Sequence, residues 1–308
     1  MSAIHIGISG WRYTPWRGDF YPEGLTQKRE LQFASRAVNS IEINGSFYAL
    51  QTPQRYAEWY ADTPEQFVFS VKAPRYITHI LRLHDVHKPM ANFFASGVLE
   101  LKEKLGPFLW QFPPSFTFDP PLFEAFLAQL PTDTRQAAAL ARQHESRVNG
   151  KASMNAHGKK PLRHAVEIRH KSFAVPEFVQ MLDKYGVALV VADTAGKWPY
   201  LEDVTADFLY LRLHGDKKLY ASGYTDAALE RWGDRIECWR HGKQPSDAHL
   251  IDPKRKPRAR KQRDVFCFFD NDIKVRAPFD ARQLLQRFEL DKALTTEPGK
   301  LPESGVLP

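Results

Sequence analysis

With 308 residues, 43 % of them apolar and 26 % charged, the chain can build one large domain around a sizeable core. No run of about 18 apolar residues occurs, so no membrane-spanning helix is expected. The N-terminus opens directly into a strand-like segment, and no secretory signal is expected either. Two cysteines, Cys238 and Cys267, point to a reducing, cytoplasmic setting and away from a disulfide framework. The formal charge of +7 is local. Lys254, Arg255, Lys256, Arg258, Arg260, Lys261 and Arg263 equal the whole excess of 43 basic over 36 acidic residues. Without that stretch the chain is balanced, which argues against a nucleic-acid surface spread over the fold.

Ile4, Ile6 and Ile8 alternate with His5, Gly7 and Ser9, the period of a strand. Leu31, Ala34 and Val38 then fall at helical spacing. A second strand spans Ser40–Asn44, followed by a short helix carrying Pro53, Tyr56, Trp59 and Tyr60. A third strand covers Phe67–Lys72. Phe94, Val98, Leu101 and Leu105 predict a helix that Gly106 stops. Phe108–Gln111 is the fourth strand, and Leu122, Phe123, Phe126, Leu127 and Leu130 stripe the next helix. Residues 132–162 break this rhythm and read as an exposed insertion.

The fifth strand is Arg163–Ile168, and Phe178, Met181, Leu182 and Tyr185 mark its helix up to Gly186. Val187–Asp193 is the sixth strand, with a short, poorly helical connection after it. Phe208–His214 is the seventh. Leu229, Trp232, Ile236 and Trp239 stripe a long helix. Residues 251–263 read as a solvated basic loop, Val265–Asn271 as the eighth strand, and Ala281, Leu284, Leu285 and Phe288 as the last helix. The Pro- and Gly-containing tail, 291–308, is expected to be disordered. Eight strands alternating with about eight helical segments predict a single-domain (β/α)8 TIM barrel over residues 1–290. An open doubly wound sheet is the alternative, but no glycine-rich phosphate loop follows any strand.

In such a barrel one face of each strand points inward, and the active site lies at the strands' C-terminal ends. The apolar faces pack on helices. The remaining faces carry Trp11, Glu42, Asn44, Lys72, Gln111, Glu167, Arg169, Asp193, Arg212, His214 and Asn271. Burying charges costs desolvation free energy that pairing often only matches, so a mixed set at a barrel mouth marks a functional site. The alternative is a closed salt-bridge network that merely orders the barrel top. His5 starts its strand and belongs at the opposite end. Tyr210 reads as a barrel filler.

At these same residues the sequence resembles the YecE-like proteins, domain-of-unknown-function family 72. The resemblance runs over roughly residues 4–290. It rests on Gly7-Ile-Ser-Gly-Trp11 with Tyr13 and Trp16, Phe20-Tyr21-Pro22, Ile41-Glu-Ile-Asn44 with Phe47-Tyr48, Phe69-Ser-Val-Lys72 and Thr78-His79. Gln111-Phe-Pro-Pro114, Glu167-Ile-Arg169, Ala192-Asp193-Thr194, Arg212-Leu-His-Gly215 and Phe269-Asp-Asn-Asp272 continue it. It implies a TIM barrel and no particular reaction.

The expected function is acid/base chemistry on a small polar or anionic substrate, such as a sugar or sugar phosphate. Glu42, Lys72, Glu167, Asp193 and His214 are the catalytic candidates, with His214 as proton partner. Trp11, Asn44, Gln111, Arg169, Arg212 and Asn271 would hold the substrate. Lys72 as a Schiff-base nucleophile is disfavoured here, because pairing with Glu42 would keep it protonated. No cofactor is expected. Glu42, Glu167, Asp193 and His214 could ligate a divalent metal, but Lys72, Arg169 and Arg212 among them would repel it. The alternatives are nucleic-acid binding or processing through the basic loop, and a non-catalytic metabolite-binding protein.

Overall fold

The structure, a computed structural model, describes residues 2–301 and 307. Eight parallel strands, β1 (Ile4–Ser9), β2 (Ser40–Ile43), β3 (Val68–Lys72), β4 (Leu105–Gln111), β5 (His164–Glu167), β6 (Ala188–Asp193), β7 (Phe208–Leu213) and β8 (Asp264–Phe269), pair in sequence order. β8 pairs back on β1, so the barrel closes. The helices are α1 (Glu30–Ala37), α2 (Gly45–Tyr48), α3 (Pro53–Asp62), α4 (His87–Ala95), α5 (Pro120–Leu127), α6 (Thr134–Ala141), α7 (Pro176–Tyr185), α8 (Asp226–Arg240) and α9 (Ala277–Arg287). No helix among the described residues is long and apolar enough to cross a membrane.

Strand alternation separates the apolar residues into two bodies. The outward set, among them Ile6, Ile8, Ile41, Ile43, Phe69, Val71, Val166, Leu209 and Leu211, merges with the helices' inner faces into the main core. The inward set, Leu109, Ala165, Ala188, Val190, Ala192, Phe208, Tyr210, Phe266 and Phe268, fills the barrel itself. Parallel pairing sets the rows above that filling. Ser9 stands beside Glu42 and Glu42 beside Ser70. Gln111 stands beside Glu167. His5 stacks on Phe266 at 4.7 Å near the strands' starts, the end expected for it.

Three expectations change. The helix expected through Leu105 is broken in two: α4 ends at Ala95, Gly97 at φ 95° turns the chain, Val98–Lys104 continue in 3-10 turns with Val98 and Leu101 buried, and Leu105 and Gly106 already belong to β4. Residues 132–162 are not wholly exposed, because Ala137, Ala138, Leu140 and Ala141 of α6 are buried. The tail expected to be disordered runs against α1. Gly299 N donates to Phe20 O at 2.8 Å, and Thr296 is buried with its hydroxyl on Phe33 O. Its residues 302–306 and 308 lie outside the described residues.

The basic loop precedes β8 and so lies at the strands' N-terminal end, opposite the mouth. Part of its charge is structural. Arg255 donates to Val204 O at 2.6 Å, Arg258 lies 3.5 Å from Asp183, and Arg263 is buried. Lys254, Lys256, Arg260 and Lys261 remain exposed.

Candidate active site at the barrel mouth

Arg212, on β7, is fully buried at the centre of the barrel. A buried guanidinium needs acceptors for all its donors, and three strands supply them. Nε and Nη2 form a bidentate pair with Glu42 of β2 at 3.1 and 2.9 Å. Nη1 lies 2.7 Å from Glu167 of β5, and Nη2 lies 3.0 Å from Asp270, just past β8. The carboxylates are secured in turn. Glu42 also accepts from Ser9 Oγ and the Tyr210 hydroxyl. Glu167 also accepts from Gln111 Nε2 at 2.9 Å and Arg169 Nε at 2.8 Å. His214 Nδ1 lies 2.9 Å from Asp270, at an angle outside hydrogen-bond geometry, and its ring meets Tyr220 edge-on at 5.4 Å. Gly215 follows at φ 123°. A Cβ there would stand 2.5 Å from Lys218 O, so only glycine lets the chain fold Tyr220 back over His214.

This lattice is the floor of a cavity of about 650 Å³. Its walls include Trp11, Tyr13, Asn44, Phe47, Trp59, Lys72, His79, Gln111, Arg169, Tyr220, Asp270 and Asp272. Trp11 packs edge-on against Trp59 of α3 at 5.2 Å. The Arg169 guanidinium lies 3.8 Å from the centre of the Trp198 ring, which holds it flat while Nε binds Glu167. Lys72 sits with Nζ 4.3 Å above the Phe47 ring. Its ammonium forms no hydrogen bond or ion pair among the described residues, while its backbone carbonyl accepts from Ser46 Oγ at 2.6 Å. The expected Glu42–Lys72 pairing is therefore absent, because Glu42 is committed to Arg212.

The electrostatics follow from this packing. Burial and the nearby Arg212 push the Lys72 ammonium down to about 8. Burial opposes ionisation of Glu167 and Asp270, but the cations around them win and hold both below the ordinary carboxylate range. Burial and the charge of Asp270 push Asp272 up to about 6. Burial, with Lys72 and Arg169 nearby, lowers His79 to about 4, so its imidazole is neutral at physiological pH. His79 rides on a π-helical turn, Tyr76–Ile80, with Nδ1 on Thr78 Oγ1 at 2.8 Å. π-turns occur preferentially at functional sites.

The structure thus gathers Trp11, Glu42, Asn44, Lys72, Gln111, Glu167, Arg169, Arg212 and His214 at one mouth. Only Trp11, Asn44, Lys72, Gln111 and Arg169 of these line the cavity; the others lie in the floor. Two expected members are elsewhere. Asp193 shares strand parity with outward Leu189 and Val191, and accepts from the Tyr224 hydroxyl at 3.0 Å. It lines a separate cavity of about 940 Å³ beside α8. Asn271 follows outward Phe269 and binds Asp280 of α9 and Ser222 O. Asp270, which continues the inward Phe266–Phe268 row, takes the place expected for Asn271. Asp270, Asp272, His79 and Tyr220 were not among the expected site residues. Asp270 follows β8, whose faces are both apolar and hide its parity, and the loop residues carry no periodic signal. Among the described residues no three His, Cys, Asp or Glu side chains are grouped to hold a metal ion.

Fold and mouth together define a TIM-barrel protein with a charged, aromatic-walled pocket at the strands' C-terminal ends. The family model described as "Protein of unknown function DUF72" matches residues 5–304, and the chain belongs to that family. It is 33 % identical over 121 residues to the UPF0759 protein YunF of Bacillus subtilis, and 29 % identical over 113 residues to the UPF0759 protein YecE of Escherichia coli. Each match takes in 37 % of this chain, and spans 41 % and 39 % of those relatives. The crystal structure of a DUF72 family protein from Thermotoga maritima aligns with a TM-score of 0.68 at 22 % identity, over 93 % of this chain and 99 % of that one. One from Enterococcus faecalis aligns with a TM-score of 0.63 at 19 % identity, over 94 % and 99 %. At such identities the likeness is one of fold.

Proposed function

We propose that the protein is an enzyme acting by acid/base chemistry on a small anionic, polyhydroxylated substrate, such as a sugar phosphate or sugar acid, in the mouth cavity. The observation that carries this reading is Lys72: a buried cation over a cavity with no partner of its own. A lysine kept for stability alone would be paired, because an unpaired buried charge is costly. Arg169 supports the anionic part of the reading. Its Nε is spent on Glu167, and its remaining donors border the cavity as a fixed fork suited to carboxylate or phosphate.

Asp272 and Lys72 are the proton-transfer pair. Their environments bring one up to about 6 and the other down to about 8, which brackets neutral pH. Glu42, Glu167, Arg212 and His214, in the floor, position Arg169 and Asp270 without reaching the substrate themselves. Trp11, Tyr13 and Phe47 supply flat apolar walls for a sugar ring. The exposed basic residues lie at the far end of the barrel, so a nucleic acid held there would not reach the mouth by the same contact.

The test is a thermal-shift screen of sugar phosphates and sugar acids, followed by turnover assays on whatever binds. The reading expects stabilisation by at least one anionic sugar that Lys72→Met and Arg169→Gln both weaken. Stabilisation only by neutral compounds, or identical shifts in both variants, contradicts it.

A further inference from the structure

We infer that Lys72 is an imine-forming amine, and that the substrate of the mouth carries a ketone or aldehyde near its anionic group. This deepens the reading of the mouth as the active site and rests on it.

The argument is geometric. An amine that attacks a carbonyl must be free of hydrogen-bond acceptors, sheltered from bulk water, and open on one side to a cavity of substrate size. Lys72 meets all three conditions. It is buried with 8 % of its surface exposed, lines the cavity of about 650 Å³, and has Phe47 against its ammonium in place of a carboxylate. Glu42, the one acid that strand register places nearest β3, is bound by Arg212, Ser9 and Tyr210 and is not available to hold Lys72 protonated.

The charged and titratable groups facing Lys72 are Arg212 on β7, Glu42 on β2, Glu167 on β5 and Asp270 after β8, with Arg12, Arg169, Asp272 and the neutral His79 at the cavity wall. Burial and Arg212 outweigh the three acids and bring the ammonium down to about 8, so that a larger share of the amine is free near neutral pH than for an exposed lysine. A desolvated lysine beside another cation is a recognised way of obtaining a free amine near neutral pH.

The step balances without an added reagent. The neutral Lys72 nitrogen gives its lone pair to the carbonyl carbon, and the C=O π pair moves onto oxygen. A proton passes from nitrogen to that oxygen, giving a carbinolamine. Asp272, a carboxylate at neutral pH, takes the proton that the Lys72 ammonium gives up on becoming the free amine; it then donates that proton to the carbinolamine hydroxyl, the C–O bond breaks, and water leaves as the C=N⁺ bond forms. Hydrolysis runs the sequence backward. Arg169 holds the neighbouring anionic group throughout.

The full-length protein treated with glyoxylate and sodium cyanoborohydride, digested, and mapped by mass spectrometry tests this. The imine, if formed, is reduced to a stable carboxymethyl adduct. Lys72 is expected to react about tenfold faster than exposed lysines such as Lys292, with a rate that rises through about pH 8. Reaction at Lys72 no faster than at Lys292 overturns the inference. Glycerol 3-phosphate, an anion without a carbonyl, is tested in parallel by thermal shift. If it stabilises the wild type but not Arg169→Gln while Lys72 goes unlabelled, the imine step is wrong and the anion site stands. If it does not bind and Lys72 is not labelled, both readings fail.

Discussion

Glu42 gives both carboxylate oxygens to Arg212, at 2.9 and 3.1 Å, and none to Lys72. Arg212 and Lys72 are thereby divided. Arg212 is neutralised by three acids and becomes structure, while Lys72 stays unpaired and borders the cavity. Each prediction below follows from that division.

Arg212 is the keystone of the floor. Arg212→Met leaves Glu42, Glu167 and Asp270 buried beside one another without their shared cation. Breaking a buried ion pair by removing one partner costs about 3–5 kcal/mol. Urea unfolding should show a loss of at least that size.

Lys72 should behave in the opposite way. Lys72→Met removes a buried, unpaired charge and keeps most of the side-chain volume. We expect a gain of about 1–3 kcal/mol at neutral pH, with loss of anion binding, as when a residue is kept for function at a cost in stability. The pH dependence gives the sign. The folded ammonium titrates near 8 and the unfolded one near 10.5. The unfolded chain therefore holds more protons between these values, and wild-type stability contains a component that rises across that window. Melting curves of the variant should lack it.

Acid should act on the floor. Glu167 and Asp270 titrate below their unfolded values. Their contribution is present above the unfolded carboxylate range and is lost as the pH falls below it toward the depressed folded values. Chemical unfolding at a series of acidic pH values should show stability falling from about pH 4 downward. Glu167→Gln should flatten that fall while lowering stability at neutral pH.

Arg169→Gln should spare the fold and damage binding. Glu167 keeps Arg212 and Gln111 as partners in its absence. A charge-assisted hydrogen bond contributes about 1.5–3 kcal/mol, so an anionic ligand should lose roughly tenfold to a hundredfold in affinity. Calorimetric titration beside a melting curve separates this from unfolding.

The architecture was legible because β1, β2, β3 and β7 alternate cleanly, and so Glu42, Lys72 and Arg212 fall on the inward face by counting alone. β6 and β8 hide their parity. Ala188–Ala192 and Val265–Phe269 are apolar on both faces, one face filling the barrel and the other packing on helices. Alternation therefore does not decide which of Asp193, Asp270 and Asn271 faces inward. His79, Tyr220 and Asp272 sit on turns after the strands, where tertiary packing and not periodicity aims a side chain. The tail shows a similar limit. Its composition reads as disorder, yet Thr295, Thr296 and Gly299 find backbone partners at Arg36 and Phe20.

The most direct test of the central claim is calorimetric titration of the wild type, Arg169→Gln and Lys72→Met, each separately, with the anionic sugar that shifts the melting temperature most. The account predicts saturable binding to wild type, weakened at least about tenfold by either substitution, while both variants remain folded. Equal affinity in all three proteins would place the ligand outside the mouth and contradict the account.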